Sequence, residues 1–367
     1  MSVNRIYMKR TPLYQQHADL GGKLVQFAGW EMPIQFEGIL AEVKNVRSYT
    51  GMFDVSHMGR LEISGTDSPD LLDKISTSHI SNMSIGRARY TLICNDAGGI
   101  IDDTIIYRTN ENTFLMIPNA SNEGSVIIWL NQCIDDLGVD VQLNRLTDAT
   151  VMIAVQGPQS TRMLQSICSS DLSQIRQFHS IESNISGNAV KIATTGYTGE
   201  NGYEIISDTV HGPEIWSTLI DMGVTPCGLG ARDVLRIEAG LLLHGSDMDA
   251  KTTPLEAGLN RFVSFDKSDF FGLSALRSQK ASGIKKILIG FQLEDKGIPR
   301  HGYNIIYNGN VVGEVTSGTY SPSLDTGIGL GYVPINVFER HHNLQIDIRG
   351  RMAKARIVSL PFYSRKK

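Results

Sequence analysis

The sequence predicts an α+β protein of two or three domains, the last of them an antiparallel β-barrel or sandwich. Three observations carry that expectation. The chain has 367 residues, more than one hydrophobic core usually fills. Up to about residue 285, helical and strand-like patterns alternate. Beyond that point, short β-rich runs follow one another between turns.

From the N-terminus, Ile39 to Tyr49 reads as a helix, with Ile39, Leu40, Val43 and Val46 at helical spacing. Leu61 to Ile63 and Thr113 to Met116 read as strands. Pro69 to Ile75 and Glu123 to Cys133 read as helices, with Ser68 placed to cap the first and Pro69 at its first position. A Gly98-Gly99 turn opens a strand-like run to Tyr107. Thr150 to Gln156 is a strand stopped by Gly157-Pro158, and Val190 to Thr195 is another. Pro213 to Met222 is a helix, as is Ala231 to Leu243 after the Gly228/Gly230 turn. The C-terminal strands are Lys286 to Phe291, Asn304 to Tyr307, Val311 to Val315, Gly329 to Val333 and Leu344 to Ile348. Asn308-Gly309 marks a turn among them.

Composition excludes several classes. The net charge is −4, and no Lys/Arg run is long enough to track a phosphate backbone, so no nucleic-acid partner is expected. Cys94, Cys133, Cys168 and Cys227 are widely spaced and suggest neither disulfides nor a zinc site. The histidines include the pair His341-His342 but no HExxH spacing. Met1 to Arg10 lacks the apolar core of a secretory signal, and no run of 18 apolar residues spans a membrane. The expected compartment is the cytoplasm.

Chemistry concentrates in two stretches. In Gly98 to Tyr107, Asp102 and Asp103 sit among β-branched residues, and alternation sends them to opposite faces. A carboxylate buried there needs hydrogen bonds or a partner. In Gly196 to Glu204, Asn201-Gly202 predicts a two-residue hairpin turn. That register makes Tyr197 and Glu204 diagonal neighbours on one face, able to border a flat ligand rich in ring nitrogens. The plain alternative makes Glu204 an exposed strand residue and Tyr197 a packing aromatic. On the helix from Ala231, Arg232 and Arg236 share one face and need partners, either an acid or a ligand. Asp54, Ser56 and His57 read as turn and strand packing, since no GxSxG elbow accompanies them. Neither a GxGxxG nor a GxxxxGK[ST] fingerprint is present.

In order, the pieces are Thr11-Pro12-Leu13-Tyr14, Phe27-Ala28-Gly29-Trp30, Gly51 to Met58, Gly98 to Asp103, Gln156-Gly157-Pro158, Thr195 to Glu200, Gly228 to Asp233 and Thr316-Ser317-Gly318. Each is weak alone, but as an ordered set running nearly end to end they are specific. The set resembles the aminomethyltransferase family of the glycine cleavage system, the T-proteins. The resemblance implies three domains in a cloverleaf around a central folate channel: residues 1–54 with 141–280, residues 55–140, and a C-terminal antiparallel β-barrel over 281–367. It implies transfer of the aminomethyl carbon on the dihydrolipoyl arm of lipoylated H-protein to tetrahydrofolate as co-substrate. No metal is required.

The resemblance also implies site residues. Asp103 matches the key aspartate, with Asp102 as runner-up, since alternation does not say which faces the pocket. Glu204 matches the pterin-binding acid and Arg232 the folate-binding arginine. Tyr90, Asn119, Tyr197 and Tyr363 match further folate-pocket positions. Pro118 departs from the family, where relatives carry an ordinary apolar residue, and its missing N–H puts the backbone path to Asn119 in question. Two folate-linked alternatives fit less well. Cys227 lies in Pro226-Cys227-Gly228-Leu229, not in the Lys-Gly-Cys-Tyr-x-Gly-Gln motif of iron–sulfur assembly relatives, and no flavin domain of a methylglycine oxidase is attached. A non-catalytic folate-binding scaffold is a third, disfavoured because the acid at 103 is present.

Overall fold

The computed structural model describes residues 8–340 and 343–365; His341 and His342 lie outside the described residues. Four sheets organise the chain. A small sheet near the N-terminus runs Lys9–Arg10, Trp30–Gln35, Lys23–Phe27. A six-stranded sheet has the order Ser180–Ile185, Asn188–Ala193, Gly202–Asp208, Thr150–Gln156, Gly51–Asp54, Thr225–Pro226. A five-stranded sheet has the order Ala88–Cys94, Ile100–Asn110, Thr113–Ile117, Leu61–Ser64, Gln142–Arg145. The last six strands, from Lys286–Leu293 to Arg351–Val358, close into an antiparallel barrel.

The six-stranded sheet buries both faces. Ile153, Val155, Ile205 and Ile192 point into one apolar core with Trp216 and Leu219 of helix Gly212–Asp221. Met152, Ala154 and Ile206 point into another with Val43, Val46 and Leu235 of helices Ile39–Ser48 and Leu229–Glu238. That two-sided burial explains the unbroken apolar run from Val151 to Val155. The five-stranded sheet packs Leu61, Ile63, Ile106 and Met116 against helices Ser68–Ile75 and Glu123–Leu137.

We propose a division by sheet, and one strand shifts the expected boundary. Gln142–Arg145 pairs with Leu61–Ser64, so the middle unit extends to Arg145 rather than ending at 140. The segment after helix Leu229–Glu238 also leans on that unit. Lys267 Nζ donates to the carbonyls of Ser76 at 2.8 Å and Ser78 at 3.1 Å, at the end of helix Ser68–Ile75.

Several local expectations are corrected. Asp67, not Ser68, precedes the first middle helix, and the Ser68 hydroxyl donates instead to the carbonyl of Asn112 at 2.9 Å. The helix expected to reach Leu243 ends at Glu238, because Gly240 takes φ +65° and the Leu241 N–H turns back to the carbonyl of Arg236. The barrel also gains a strand, Arg351–Val358, whose alternation of Met352, Lys354 and Arg356 with small Ala353 and Ala355 hid its buried face.

Candidate functional site

A cavity of about 1070 Å³ lies where the sheets meet, a volume suited to a cofactor-sized ligand. The five-stranded sheet contributes Tyr90 and Asp103, and the six-stranded sheet Met152 and Glu204. Helix Leu229–Glu238 contributes Arg232, and the barrel Thr319 and Tyr320. The wall is mainly apolar, so the few charged groups on it are conspicuous.

The aspartate pair is resolved by geometry. Asp103 lines the cavity, whereas Asp102 is fully buried behind it. The Tyr90 hydroxyl donates to Asp103 Oδ2 at 3.0 Å and Asn119 Nδ2 donates to Asp103 Oδ1 at 2.8 Å. Asn119 also holds Asp102, through its backbone N–H at 3.0 Å and its Nδ2 at 2.8 Å. Burial pushes both carboxyls up, and the neighbouring Asp103 charge helps raise Asp102 to about 7. Pro118 is harmless here. The ladder between the two strands ends at Ile105 and Ile117, so Pro118 has no ladder bond to lose, and its carbonyl accepts the N–H of Gly59 at 2.9 Å.

Glu204 reaches the cavity from a different register than expected. It pairs with Ala193 and Ala154, not with a hairpin partner at 199. Residues 194–201 form a longer loop, and neither Asn201 nor Gly202 takes the positive φ that a two-residue turn requires. Asn201 is held elsewhere, its carbonyl accepting the Gly157 N–H at 2.8 Å. Gly196 and Gly202 both press on the Gln156 side chain, where a Cβ would come within 2.1 and 2.3 Å of it. Tyr197 therefore sits on the loop rather than in a strand, yet it and Glu204 line the same cavity. Its hydroxyl is anchored by donating to the carbonyl of Leu242.

Glu204 is nearly buried, and its Oε2 accepts from the Thr195 hydroxyl and from the Tyr107 hydroxyl at 3.3 Å. Among the described residues, Oε1 has no donor. The two arginines of the helix separate in role. Arg236 is buried and tied to Asp247 at 2.6 Å, Asp233 at 2.9 Å and the Ser317 hydroxyl at 2.7 Å, an internal link to the barrel. Arg232 lies over the Tyr197 ring at 4.8 Å and, among the described residues, has no side-chain hydrogen bond or ion pair. Burial lowers its affinity for the proton, offset by the Glu204 charge. A half-buried guanidinium without a carboxylate, beside a carboxylate with a free oxygen, is a built receptor for a ligand bearing both acceptors and N–H donors.

Residues 13–267 match the GCVT N-terminal domain family, and residues 286–364 match the glycine cleavage T-protein C-terminal barrel domain family. The aminomethyltransferase of Rubrobacter xylanophilus is 43% identical, covering 100% of this chain and 97% of its own. That of Bacillus subtilis is 43% identical over 98% of this chain and 100% of its own. The chain belongs to the glycine cleavage T-protein family. It is an aminomethyltransferase of the tetrahydrofolate-dependent kind. The crystal structure of glycine cleavage system aminomethyltransferase T from Bartonella henselae superposes with a TM-score of 0.92 at 32% identity, covering 98% of this chain and 99% of that one. The three-domain T-protein architecture with its C-terminal barrel is therefore this chain's fold.

Within this T-protein cavity, six of the seven anticipated residues come together: Asp103, Glu204, Arg232, Tyr197, Tyr90 and Asn119. Tyr363 does not line it. Its ring stacks on the Arg47 guanidinium at 4.0 Å and its N–H bonds the Glu238 carbonyl at 2.8 Å. Arg47 in turn pairs with Glu200 at 2.9 Å and Glu238 at 2.8 Å, so Tyr363 braces the outer side of the Tyr197 loop. His57, read from the sequence as packing, lines the cavity; among the described residues its ring makes no hydrogen bond, and burial and Arg232 lower its pKa to about 3. Its neighbour Asp54 does have the packing role expected. It accepts from the Thr11 hydroxyl at 2.6 Å and the Ser56 N–H at 2.9 Å, and lies 2.8 Å from His17 Nε2. Among the described residues, no group of three His, Cys, Asp or Glu side chains stands close enough to hold a metal, and no helix is long and apolar enough to cross a membrane.

Proposed function

We propose that the central cavity is the folate site of this aminomethyltransferase, with Glu204 and Arg232 holding the co-substrate and Asp103 serving the transferred carbon. The reaction moves the aminomethyl carbon from dihydrolipoyl H-protein to tetrahydrofolate and yields 5,10-methylenetetrahydrofolate, ammonia and dihydrolipoyl H-protein. The observation that carries the site assignment is the pairing of two unfilled groups on one wall: the free Glu204 Oε1 and the unpartnered Arg232.

An ionised carboxylate accepts only, so Glu204 suits the amino group and a ring N–H of a pterin. Arg232 donates only, and suits a carbonyl or carboxylate of the same ligand. Tyr90, Tyr197 and Phe262 supply aromatic walls for the ring, with Tyr90 and Phe262 in edge contact at 4.6 Å. Ammonia leaves with the electron pair of its carbon–nitrogen bond, and the carbon becomes cationic. A folate nitrogen donates its pair to that carbon and must release its proton. The carbon–sulfur bond then breaks with its pair going to the dihydrolipoyl sulfur, and the second folate nitrogen closes on the carbon, its proton passing to that sulfur. Asp103 is the acceptor of the first proton, and its charge also stabilises the cation. Its raised proton affinity makes it a better base than an ordinary aspartate. We assign lipoylated H-protein as the partner and the cytoplasm as the compartment, with no metal in the mechanism and no nucleic acid or membrane engaged.

The deciding experiment incubates the protein with aminomethylated H-protein and tetrahydrofolate and follows methylenetetrahydrofolate. Product that requires all three components is the expected result. A folded protein that releases no product, or forms it equally well after Glu204→Ala and Arg232→Ala together, overturns the site assignment.

A further inference from the structure

Asp102 has no role in the chemistry described so far, yet its placement is expensive. It is 0% exposed and, among the described residues, has no Lys or Arg in ion-pair contact. A buried carboxylate survives in such a place only through hydrogen bonds. Asn119 supplies them all: its N–H to Asp102 Oδ2 and its Nδ2 to Asp102 Oδ1. The same Nδ2 reaches Asp103 Oδ1 at 2.8 Å and the Asp103 carbonyl at 3.1 Å. An amide nitrogen has only two hydrogens, so this one is committed entirely to the aspartate pair.

Regular alternation would not let one side chain touch two successive residues of a strand. Two irregularities permit it. The ladder with Ala88–Cys94 slips between Ile93 and Cys94, opposite Ile101, which kinks the strand at Asp102. The neighbouring strand ends at Ile117, so Asn119 turns across the vacated edge. Tyr90 closes the arrangement from the far strand. Among the described residues, the other titratable groups facing the pair are His244, whose Nε2 lies 3.1 Å from the Ile100 carbonyl, and Tyr197, whose phenol is raised by burial and in part by the Asp103 charge.

We propose that Asp102 is a positioning residue for the transfer: it locks Asn119, and Asn119 aims the Asp103 carboxylate into the cavity. The proposal rests on the reading of Asp103 as the base. Two carboxylates this close resist ionising together, so they titrate as a pair. Burial raises both, and their mutual repulsion adds to Asp102.

Asp102→Asn tests it. The variant sets an amide N–H against one of the Asn119 donors, so the aim of Asp103 is lost. Single-turnover rates are measured from pH 5 to 9 with aminomethylated H-protein and saturating tetrahydrofolate. The base must be ionised, so the rate falls as pH drops through its pKa. In the variant the plateau should fall ~10-fold or more while that acid limb persists, because Asp103 is still the base. The KM for tetrahydrofolate should change by less than ~3-fold, because the pterin contacts are elsewhere. Asp102→Ser, smaller and uncharged, gives the same plateau loss and serves if the Asn variant fails to fold. A plateau within ~3-fold of wild type in a folded variant overturns the proposal. Asp103→Asn in the same assay separates the two readings. If it abolishes turnover while Asp102→Asn keeps the plateau, only the Asp102 proposal fails. If Asp103→Asn keeps full turnover, the reading of Asp103 fails and takes this proposal with it.

Discussion

Asp103→Asn makes opposite demands on activity and stability, and the structure sets the direction of each. The side chain meets two donors, the Tyr90 hydroxyl and Asn119 Nδ2, and no cation among the described residues contacts it. An asparagine keeps one acceptor oxygen for Asn119, and its amide can donate to the Tyr90 oxygen once that hydroxyl rotates. What it lacks is charge and the ability to take a proton. Turnover should therefore fall by about two to four orders of magnitude. Folate binding loses at most one ordinary hydrogen bond, about 0.5–1.5 kcal/mol, or up to ~tenfold in Kd. Stability should not fall. The folded state raises the Asp103 pKa above its ordinary 3.8, so above that pH ionisation opposes folding, increasingly up to the folded pKa. Asparagine removes that opposition. The variant's Tm at pH 8 should equal or exceed wild type, with the advantage shrinking as pH approaches 4. Single-turnover kinetics, folate titration and calorimetry at two pH values cover the three quantities. Turnover within ~tenfold of wild type, or a lost turnover that tracks a lowered Tm, would refute the reasoning.

Three further perturbations follow from the same geometry. Glu204→Gln can turn its amide toward Thr195 and Tyr107 and keep one oxygen for the ligand, so tetrahydrofolate affinity should weaken by about 1.5–3 kcal/mol, the strength of one charge-assisted bond, read as a smaller thermal shift on ligand addition. Arg232→Met removes a half-buried cation without an ion pair; the ligand-free protein should melt no lower than wild type, while folate no longer raises its Tm as it does in wild type. Burial opposes the Asp54 charge, but bonds from His17, Ser56 and Thr11 hold its pKa near 2, below the unfolded value, so Asp54→Asn should lower Tm fully at pH 7 and progressively less as pH falls from about 4 toward 2.

Much of the fold was legible where local chemistry had no competitor. Asn308-Gly309 forms the expected two-residue turn, with both residues at positive φ and Tyr307 paired to Asn310, because among the described residues no distant segment bonds its backbone; the Asn308 carbonyl accepts only the local Asn310 side-chain amide at 3.3 Å. Asn201-Gly202 carries the same signal and fails, because the Gly157 N–H and the Ser160 hydroxyl bind the Asn201 carbonyl and hold it outside a hairpin. The conclusion drawn from that turn, a shared cavity for Tyr197 and Glu204, survives on different grounds. The helix pattern through Leu243 was misread because Leu241 and Leu242 continue the apolar spacing while Gly240 ends the helix. Alternation separated Asp102 from Asp103 without saying which faced inward; that depends on Tyr90 and Asn119, which approach from other segments. Arg232 and Arg236 were equivalent by spacing, and only the positions of Asp247 and Ser317 distinguish the structural arginine from the unpartnered one.

The discontinuous six-stranded sheet dictates when the cavity can exist during synthesis. Gly51–Asp54 takes Thr150–Gln156 and Thr225–Pro226 as its partners, and neither is adjacent in the chain. At a ribosomal rate of about 5–20 residues per second, that short apolar strand waits roughly 5–20 s before its first partner emerges. In the interval, the five-stranded sheet carrying Asp103 acquires its last strand, Gln142–Arg145, and can close around its own core. The wall with the catalytic candidate is thus complete before the wall with Glu204 has been made. Thr319 and Tyr320 of the barrel arrive later still. A folate molecule can stabilise the finished protein but not the early nascent chain, and the unpartnered Gly51–Asp54 segment is where a chaperone has something to hold.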